Sequence, residues 1–224
     1  MPSPLSSVRA VLFDAVGTLI HADPPVIEAY HEAGRRCGSA LSRSEIAARF
    51  AAAFRRHHAA QHSSEQAEQT RWRRVVADVF TDVDDTGPLF DELWSHFADH
   101  RHWAVYDDVK EAWTALRSSG YRVGVASNFD QRLPDMAQGL APLDEAEAIF
   151  VSSQLGFAKP HGEFFRGIEA ALSLSPPQLL LVGDDPEKDW HGAKAAGWHA
   201  LLIDRNGANG EALVSLRELP PLLG

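Results

Sequence analysis

The chain has 224 residues, 45% of them hydrophobic and 23% charged, with a formal net charge of −10. These values suit one large domain, or a domain with an insert; they exclude general disorder and collagen-like repeats, and Cys37, the single cysteine, excludes a disulfide framework. The acidic balance opposes attraction to nucleic acid or anionic lipid. The absence of 18 uninterrupted apolar residues predicts no membrane span, and the polar start Met1 to Ser7 does not read as a signal peptide, so the expected compartment is the cytoplasm, where a lone thiol stays reduced.

Val8 to Phe13 (VRAVLF) is a short apolar run that ends on Asp14 and reads as a buried strand. Residues 21–105 change character. Alanine, arginine and histidine are abundant, and apolar residues recur at helical spacing, with Ala47, Phe50, Ala51 and Phe54 as one stripe and Val75, Val76, Val79 and Phe80 as another. Pro24-Pro25 marks the entry to this stretch, Thr81 to Pro88 is an acidic break within it, and Leu89 to His100 resumes the helical pattern. Helix and strand then alternate. Asp107 to Ser119 is a helix closing before Gly120, Tyr121 to Ala126 a strand, and Ala148 to Val151 another. Pro160 to Leu172 is a helix, Gln178 to Val182 a strand, Asp189 to Ala196 a helix and His199 to Ile203 a strand. Near-continuous apolar strands separated by helices predict an α/β, doubly wound, mainly parallel Rossmann-like sheet over 1–20 and 106–224, with a helical insert over 21–105.

Four polar clusters fall at predicted strand ends or loops, where such sheets bind ligands. They are Asp14-Ala15-Val16-Gly17-Thr18-Leu19, Ser127-Asn128, Lys159-Pro160, and Gly183-Asp184-Asp185-Pro186-Glu187-Lys188-Asp189. Each alone has a plainer reading as a turn, a cap or a surface loop; the four in this order point to one site. In these residues the sequence resembles the haloacid dehalogenase superfamily of hydrolases, over 8–21 and about 106–204, and 21–105 resembles the cap that many members insert after the first motif. The resemblance implies that Asp14 is a nucleophile forming a covalent aspartyl intermediate. It implies that Thr18, Ser127 and Lys159, with Asn128 beside them, position and neutralise the transferred group. It further implies that Asp14, the backbone carbonyl of Val16 and Asp184 hold Mg²⁺, with Asp189 completing the acidic cluster and Asp185 a helper.

The chemistry of the residue types agrees with that assignment. A phosphoryl group in transfer spreads negative charge over its oxygens, so positioning and cations supply most of the catalysis. Mg²⁺ takes hard oxygen ligands, and carboxylates gathered without a cation repel one another. Lys159 adds a compact positive charge, and Ser127 both donates and accepts.

One position departs from the family's phosphatases, which carry a second aspartate two residues after the nucleophile as general acid and base. Here that residue is Val16, which transfers no proton; the loss of such a group costs about 10²- to 10⁴-fold in rate. Phosphate esters with good leaving groups suffer least. The 2-haloacid dehalogenases also have an uncharged residue there, since halide departs as an anion, but their fourth motif is less acidic than the Gly183 to Asp189 cluster. Phosphonoacetaldehyde hydrolases need a lysine in the cap, and residues 21–105 contain none: the lysines are Lys110, Lys159, Lys188 and Lys194. Transport ATPases of the family need a membrane segment. His21, seven residues after Asp14, is a candidate substitute proton shuttle whose plainer reading is a polar hinge residue. The arginines of 21–105 read mostly as solvated faces, its eight histidines as surface, and Trp72, Trp94 and Trp103 as packing.

The expectation is a Mg²⁺-dependent phosphatase of a small phosphorylated metabolite acting through Asp14, without a nucleic-acid or membrane partner and with oligomeric state open. The alternatives are a 2-haloacid dehalogenase-type hydrolase and a catalytically impaired ligand-binding or interaction protein.

Overall fold

In the computed structural model, which describes residues 5–57 and 61–224, five apolar runs pair into one sheet. In chain order the elements are β1 (Ala10–Phe13), β2 (Ile20–Ala22), α1 (Val26–Arg36), α2 (Arg43–Arg56), α3 (Glu65–Val79), α4 (Gly87–His96), β3 (Trp103–Val105), α5 (Val109–Ser118), β4 (Arg122–Ser127), α6 (Arg132–Ala137), β5 (Ile149–Val151), α7 (Ser152–Leu155), α8 (Gly162–Leu172), β6 (Leu179–Gly183), α9 (Gly192–Ala195), β7 (His199–Leu202) and α10 (Leu219–Leu223). The sheet order is β5-β4-β1-β6-β7, and all its pairings are parallel.

Alternation along β1 explains how both faces are covered. Val11 and Phe13 point into a core shared with Trp113 and Leu116 of α5, Leu133 of α6, and Leu219 and Leu223 of α10. Ala10 and Leu12 point into the opposite core, with Phe164, Phe165 and Ile168 of α8 and Trp198. Each large side chain so buried contributes about 1.5–3 kcal/mol before the entropy of ordering it is subtracted.

Register fixes where the chemistry falls. Phe13 stands opposite Val125 of β4 and Val182 of β6, so Asp14, Ala126 with Ser127, and Gly183 with Asp184 emerge together at the C-terminal edge. That edge is the switch point of a doubly wound sheet, because the chain steps from β1 to β4 and β5 on one side and to β6 and β7 on the other.

The α1–α4 region has its own core, which includes Tyr30, Ile46, Val75, Val76, Val79, Phe80 and Leu89. Ser42 and Glu45 form a capping box that starts α2. The connection to the sheet is an antiparallel ribbon of β2 and β3, with His21 opposite Ala104. Each strand spans three residues, too short for period-two alternation to show in the sequence. The stripe expected along α2 is corrected: Ala51 faces solvent, Phe54 is exposed, and Ile46 and Ala53 carry the burial. The helix expected over 189–196 begins earlier, as a π-helical turn from Pro186 to His191 that leads into α9. Pro160 lies outside α8, whose first turn is capped by His161 through the Glu163 N–H. Among the described residues no helix is long and apolar enough to cross a membrane.

Candidate active site

At the edge where β1, β4 and β6 end, four charged side chains converge. Lys159, almost wholly buried, donates from Nζ to Asp14 Oδ1 at 2.7 Å, to Asp189 Oδ1 at 2.6 Å and to the Ala126 carbonyl at 2.8 Å. An ammonium has three donors, and all three are used. Carboxylate oxygens of Asp14, Asp184 and Asp189 lie within 4.8 Å of one another. One ammonium therefore faces three carboxylates.

The electrostatics follow from that count. Burial opposes the charge on Lys159, but attraction and hydrogen bonds from Asp14 and Asp189 outweigh it and hold the ammonium above the ordinary lysine range. Asp184 makes no such contact: its desolvation, together with the nearby charges of Asp14 and Asp189, pushes its carboxyl up to about 7. Asp189 is also raised, by burial first and then by Asp14, with Lys159 pulling the other way.

Glycine makes this crowding possible. Gly17 has φ 89°, and a Cβ there would sit 2.4 Å from Asp184 Oδ2; a Cβ on Gly183 would sit 2.2 Å from Asp189 Oδ2. In the turn after β1 the N–H groups of Thr18, Leu19 and Ile20 converge on the Ala15 carbonyl, and Gly17 donates to Ile20 O. The Val16 carbonyl takes none of these bonds, and the residue is 40% exposed.

The other expected residues occupy different places. Ser127 ends β4 and is buried beside the cluster. Asn128 does not present its amide to the site: Oδ1 accepts the Lys159 N–H at 2.7 Å and Nδ2 donates to the Lys159 carbonyl at 2.9 Å, so it holds the main chain of the lysine. Thr18 is fully buried, its hydroxyl without a partner among the described residues. Asp189 has both oxygens occupied, one by Lys159 and the other by the Asp185 N–H. Asp185 caps the π-helical turn, accepting from Glu187 N and Lys188 N and pairing with the Lys188 ammonium. Burial works against its ionisation, but these bonds prevail and hold its carboxyl below the usual range. The ring of His21 packs against Tyr106, 4.8 Å between centroids, with Nδ1 3.3 Å from its neighbour's carbonyl, Ala22 O.

Above Val16 and Asn128 lies a cavity of about 320 Å³ between the sheet edge and α1–α4. Nine aromatic side chains line it: Tyr30, Phe50, Phe54, Trp72, Phe90, Trp94, Phe97, Trp103 and Phe129. The reading of the three tryptophans as packing alone is thus corrected, since each also forms cavity wall. Arg71 and Arg132 line it too, and both are neutralised: Arg71 pairs with Glu68 at 2.8 Å, and Arg132 holds Asp130 through Nε and Nη2 at 2.8 and 2.7 Å while its guanidinium lies 3.4 Å from the Trp94 ring centroid. Sequence reasoning missed Tyr30, Phe129 and Arg132. The position of Phe129 directly after Ser127-Asn128 is the one signal that could have found it.

The surface reading of the histidines is corrected in part. His31 Nδ1 and His96 Nε2 are buried without partners among the described residues, and His96 stacks on His102 at 3.7 Å. His58 lies outside the described residues.

Known proteins resemble this chain in sequence and in fold. The haloacid dehalogenase-like hydrolase domain-containing protein 3 of Xenopus laevis is 27% identical over 206 residues, covering 88% of this chain and 84% of that one. Among solved structures, a HAD phosphatase from Thermococcus onnurineus superimposes with a TM-score of 0.70 at 24% identity over 97% of this chain and 98% of that one. A defluorinating L-2-haloacid dehalogenase superimposes at 0.78 and 20% identity over 100% and 98%. The family model for haloacid dehalogenase-like hydrolases matches residues 8–197, which takes in the turn after β1, Lys159 and the acidic cluster, and the chain belongs to that family of hydrolases.

Proposed function

We propose that the protein is a divalent-cation-dependent phosphohydrolase that acts through Asp14 on a small phosphorylated substrate, with α1–α4 as the cap over its site. The observation that supports this reading is the ring of Asp14, Asp184 and Asp189 oxygens within 4.8 Å, next to a single ammonium. The donor set fits Mg²⁺: it consists of oxygens only, Asp184 reaches solvent, and the Val16 carbonyl has no competing turn bond. Asp14, Asp184 and the Val16 carbonyl would hold the ion, and Asp189, with both oxygens engaged, would orient Lys159. When bound, the cation neutralises charge on the phosphoryl oxygens and on the carboxylates around it.

Asp14 attacks phosphorus with the oxygen that Lys159 leaves free, Oδ2. The Lys159 bond to Oδ1 fixes the carboxylate's orientation and keeps positive charge where negative charge develops. Asn128 and Asp189 hold the lysine from its main chain and from its ammonium. Closure of α1–α4 excludes bulk water from the attack. With Val16 in place of a general acid, the leaving group departs unprotonated, so esters of acidic alcohols turn over fastest.

The test is release of phosphate from p-nitrophenyl phosphate with Mg²⁺ and with chelator. Turnover that needs the cation and vanishes in Asp14→Asn supports the reading; the same rate in both proteins ends it. Val16 and the apolar cavity also suit a second reading, hydrolysis of a carbon–halogen bond, in which halide leaves without a proton. Halide release from a 2-haloacid in chelator, without phosphate release from any ester, would select it.

A further inference from the structure

The cavity beside Val16 restricts what the leaving group can be. Its walls are aromatic rings, and its two cations are each cancelled by a carboxylate, Glu68 for Arg71 and Asp130 for Arg132. A charged or polyhydroxylated group would lose its hydration there and find no partner in return. The buried Tyr30 hydroxyl is the exception. Tyr30 is buried and lines the cavity, so it is one polar handle in an otherwise apolar chamber. A volume of about 320 Å³ is at the small end of ligand sites and suits one or two fused rings.

A separate observation leads to the same chemistry. Val16 stands on the cavity wall where a proton donor would be needed for a basic leaving group. A phenolate, with a conjugate acid pKa of about 10, leaves without help; an alkoxide, about as basic as hydroxide at about 15.7, does not.

Resting on the phosphohydrolase reading, we infer that the substrate class is aryl phosphate monoesters, with an uncharged ring system seated among Trp72, Trp94, Trp103 and Phe129 and a polar substituent within reach of Tyr30. Asp14 Oδ2 forms a bond to phosphorus, the bond from phosphorus to the aryl oxygen breaks, and the pair leaves on the aryloxide. Water then attacks phosphorus and the bond to Asp14 breaks, regenerating the carboxylate. One hydrogen of that water stays on the phosphate and the other reaches the aryloxide through solvent.

The experiment compares 1-naphthyl phosphate, acetyl phosphate and glycerol 1-phosphate on the full chain with Mg²⁺. Acetyl phosphate has a good leaving group without a ring, so it reports the chemistry apart from the cavity. Wild type should prefer 1-naphthyl phosphate to glycerol 1-phosphate by about 10²-fold or more in kcat/KM. In Phe54→Ser, at an exposed part of the wall, and in Trp94→Leu, the ratio of 1-naphthyl to acetyl phosphate kcat/KM should fall about tenfold. Binding of 1-naphthyl phosphate to Asp14→Asn, followed by tryptophan fluorescence, gives a readout without turnover. Acetyl phosphate turnover with an unchanged ratio in both variants, or with no preference for the aryl ester, overturns the inference and leaves the phosphohydrolase reading standing. Aryl binding without turnover of any phosphate overturns that reading and keeps the cavity assignment; neither binding nor turnover overturns both.

Discussion

The two halves of the site are built by opposite means. The acidic cluster sits at strand ends and in the turns that follow them: its positions follow from the register of β1, β4 and β6 and from turns a few residues long, Lys159 meets Asp14 and Asp189 at hydrogen-bond distance, and glycines remove the steric obstacle. The aromatic cavity is lined by α1–α4, by the turn after β1, by β3 and by the segment that runs from β4 into α6, on residues from Val16 to Arg132, and no single spacing relates these segments to one another. The cluster spends its contacts on charge and the cavity on shape. A hydrolase fold can therefore keep the first and vary the second, changing what is cleaved without changing how.

The sharpest way to separate the halves is to remove the nucleophile. Asp14→Asn should lower turnover about 10³-fold or more and still bind ligands in the cavity, measured by phosphate release beside tryptophan fluorescence. Loss of ligand binding to the same degree would mean that the cluster and the cavity are not independent. Lys159→Met takes away the cation that Asp14 and Asp189 share. Breaking a buried pair on one side costs about 3–5 kcal/mol, so urea unfolding of the metal-free protein should show a loss of that order, in part reversed by Mg²⁺.

Val16→Asp is the substitution that joins the two regions, since Val16 belongs to both. The half-open position accepts the new side chain, and a proton donor there should raise kcat/KM for alkyl phosphates about 10²-fold while changing aryl phosphates less. An equal gain for both ester types would show that leaving-group departure does not limit the wild-type protein. The smallest effect concerns pH. Asp184 is raised to about 7 in the folded chain from the ordinary carboxylate range near 4. The folded metal-free protein therefore binds a proton that the unfolded chain releases, and the stability this contributes is present at low pH and lost as pH rises through about 7. In chelator, Tm should fall across that window. Asp184→Asn should flatten the fall and remove the upward shift in Tm on adding Mg²⁺; a wild-type Tm that rises with pH from 5 to 8 in chelator would contradict the assigned crowding.

The five strands of the sheet were legible because each is a short apolar run closed by a polar residue, and burial on both faces leaves no alternation to confuse it. Gly17 and Gly183 stood in the polar clusters, but the approach of Asp184 and Asp189 to their main chain shows only in the packed structure. The ribbon of β2 and β3 was not legible, because three-residue strands carry no period, and the shared wall was not, because Phe54 and Trp94 follow helical spacing that packing alone would also produce. Asn128 and Asp185 read as site residues by their neighbours, yet Asn128 is bound to backbone and Asp185 to backbone and the Lys188 ammonium; which partner a short polar side chain finds depends on the path of the folded chain around it.

By itself the sequence determined the order of elements, the family and the residues able to carry charge at the strand ends, because propensity, turn chemistry and burial pattern are local and act along the chain. Only the tertiary structure decided that one lysine serves both Asp14 and Asp189 and that Val16 opens onto an aromatic chamber. Those are relations between segments tens to more than a hundred residues apart, and the geometry that sets a charge's partner and its exposure exists only once the segments are packed.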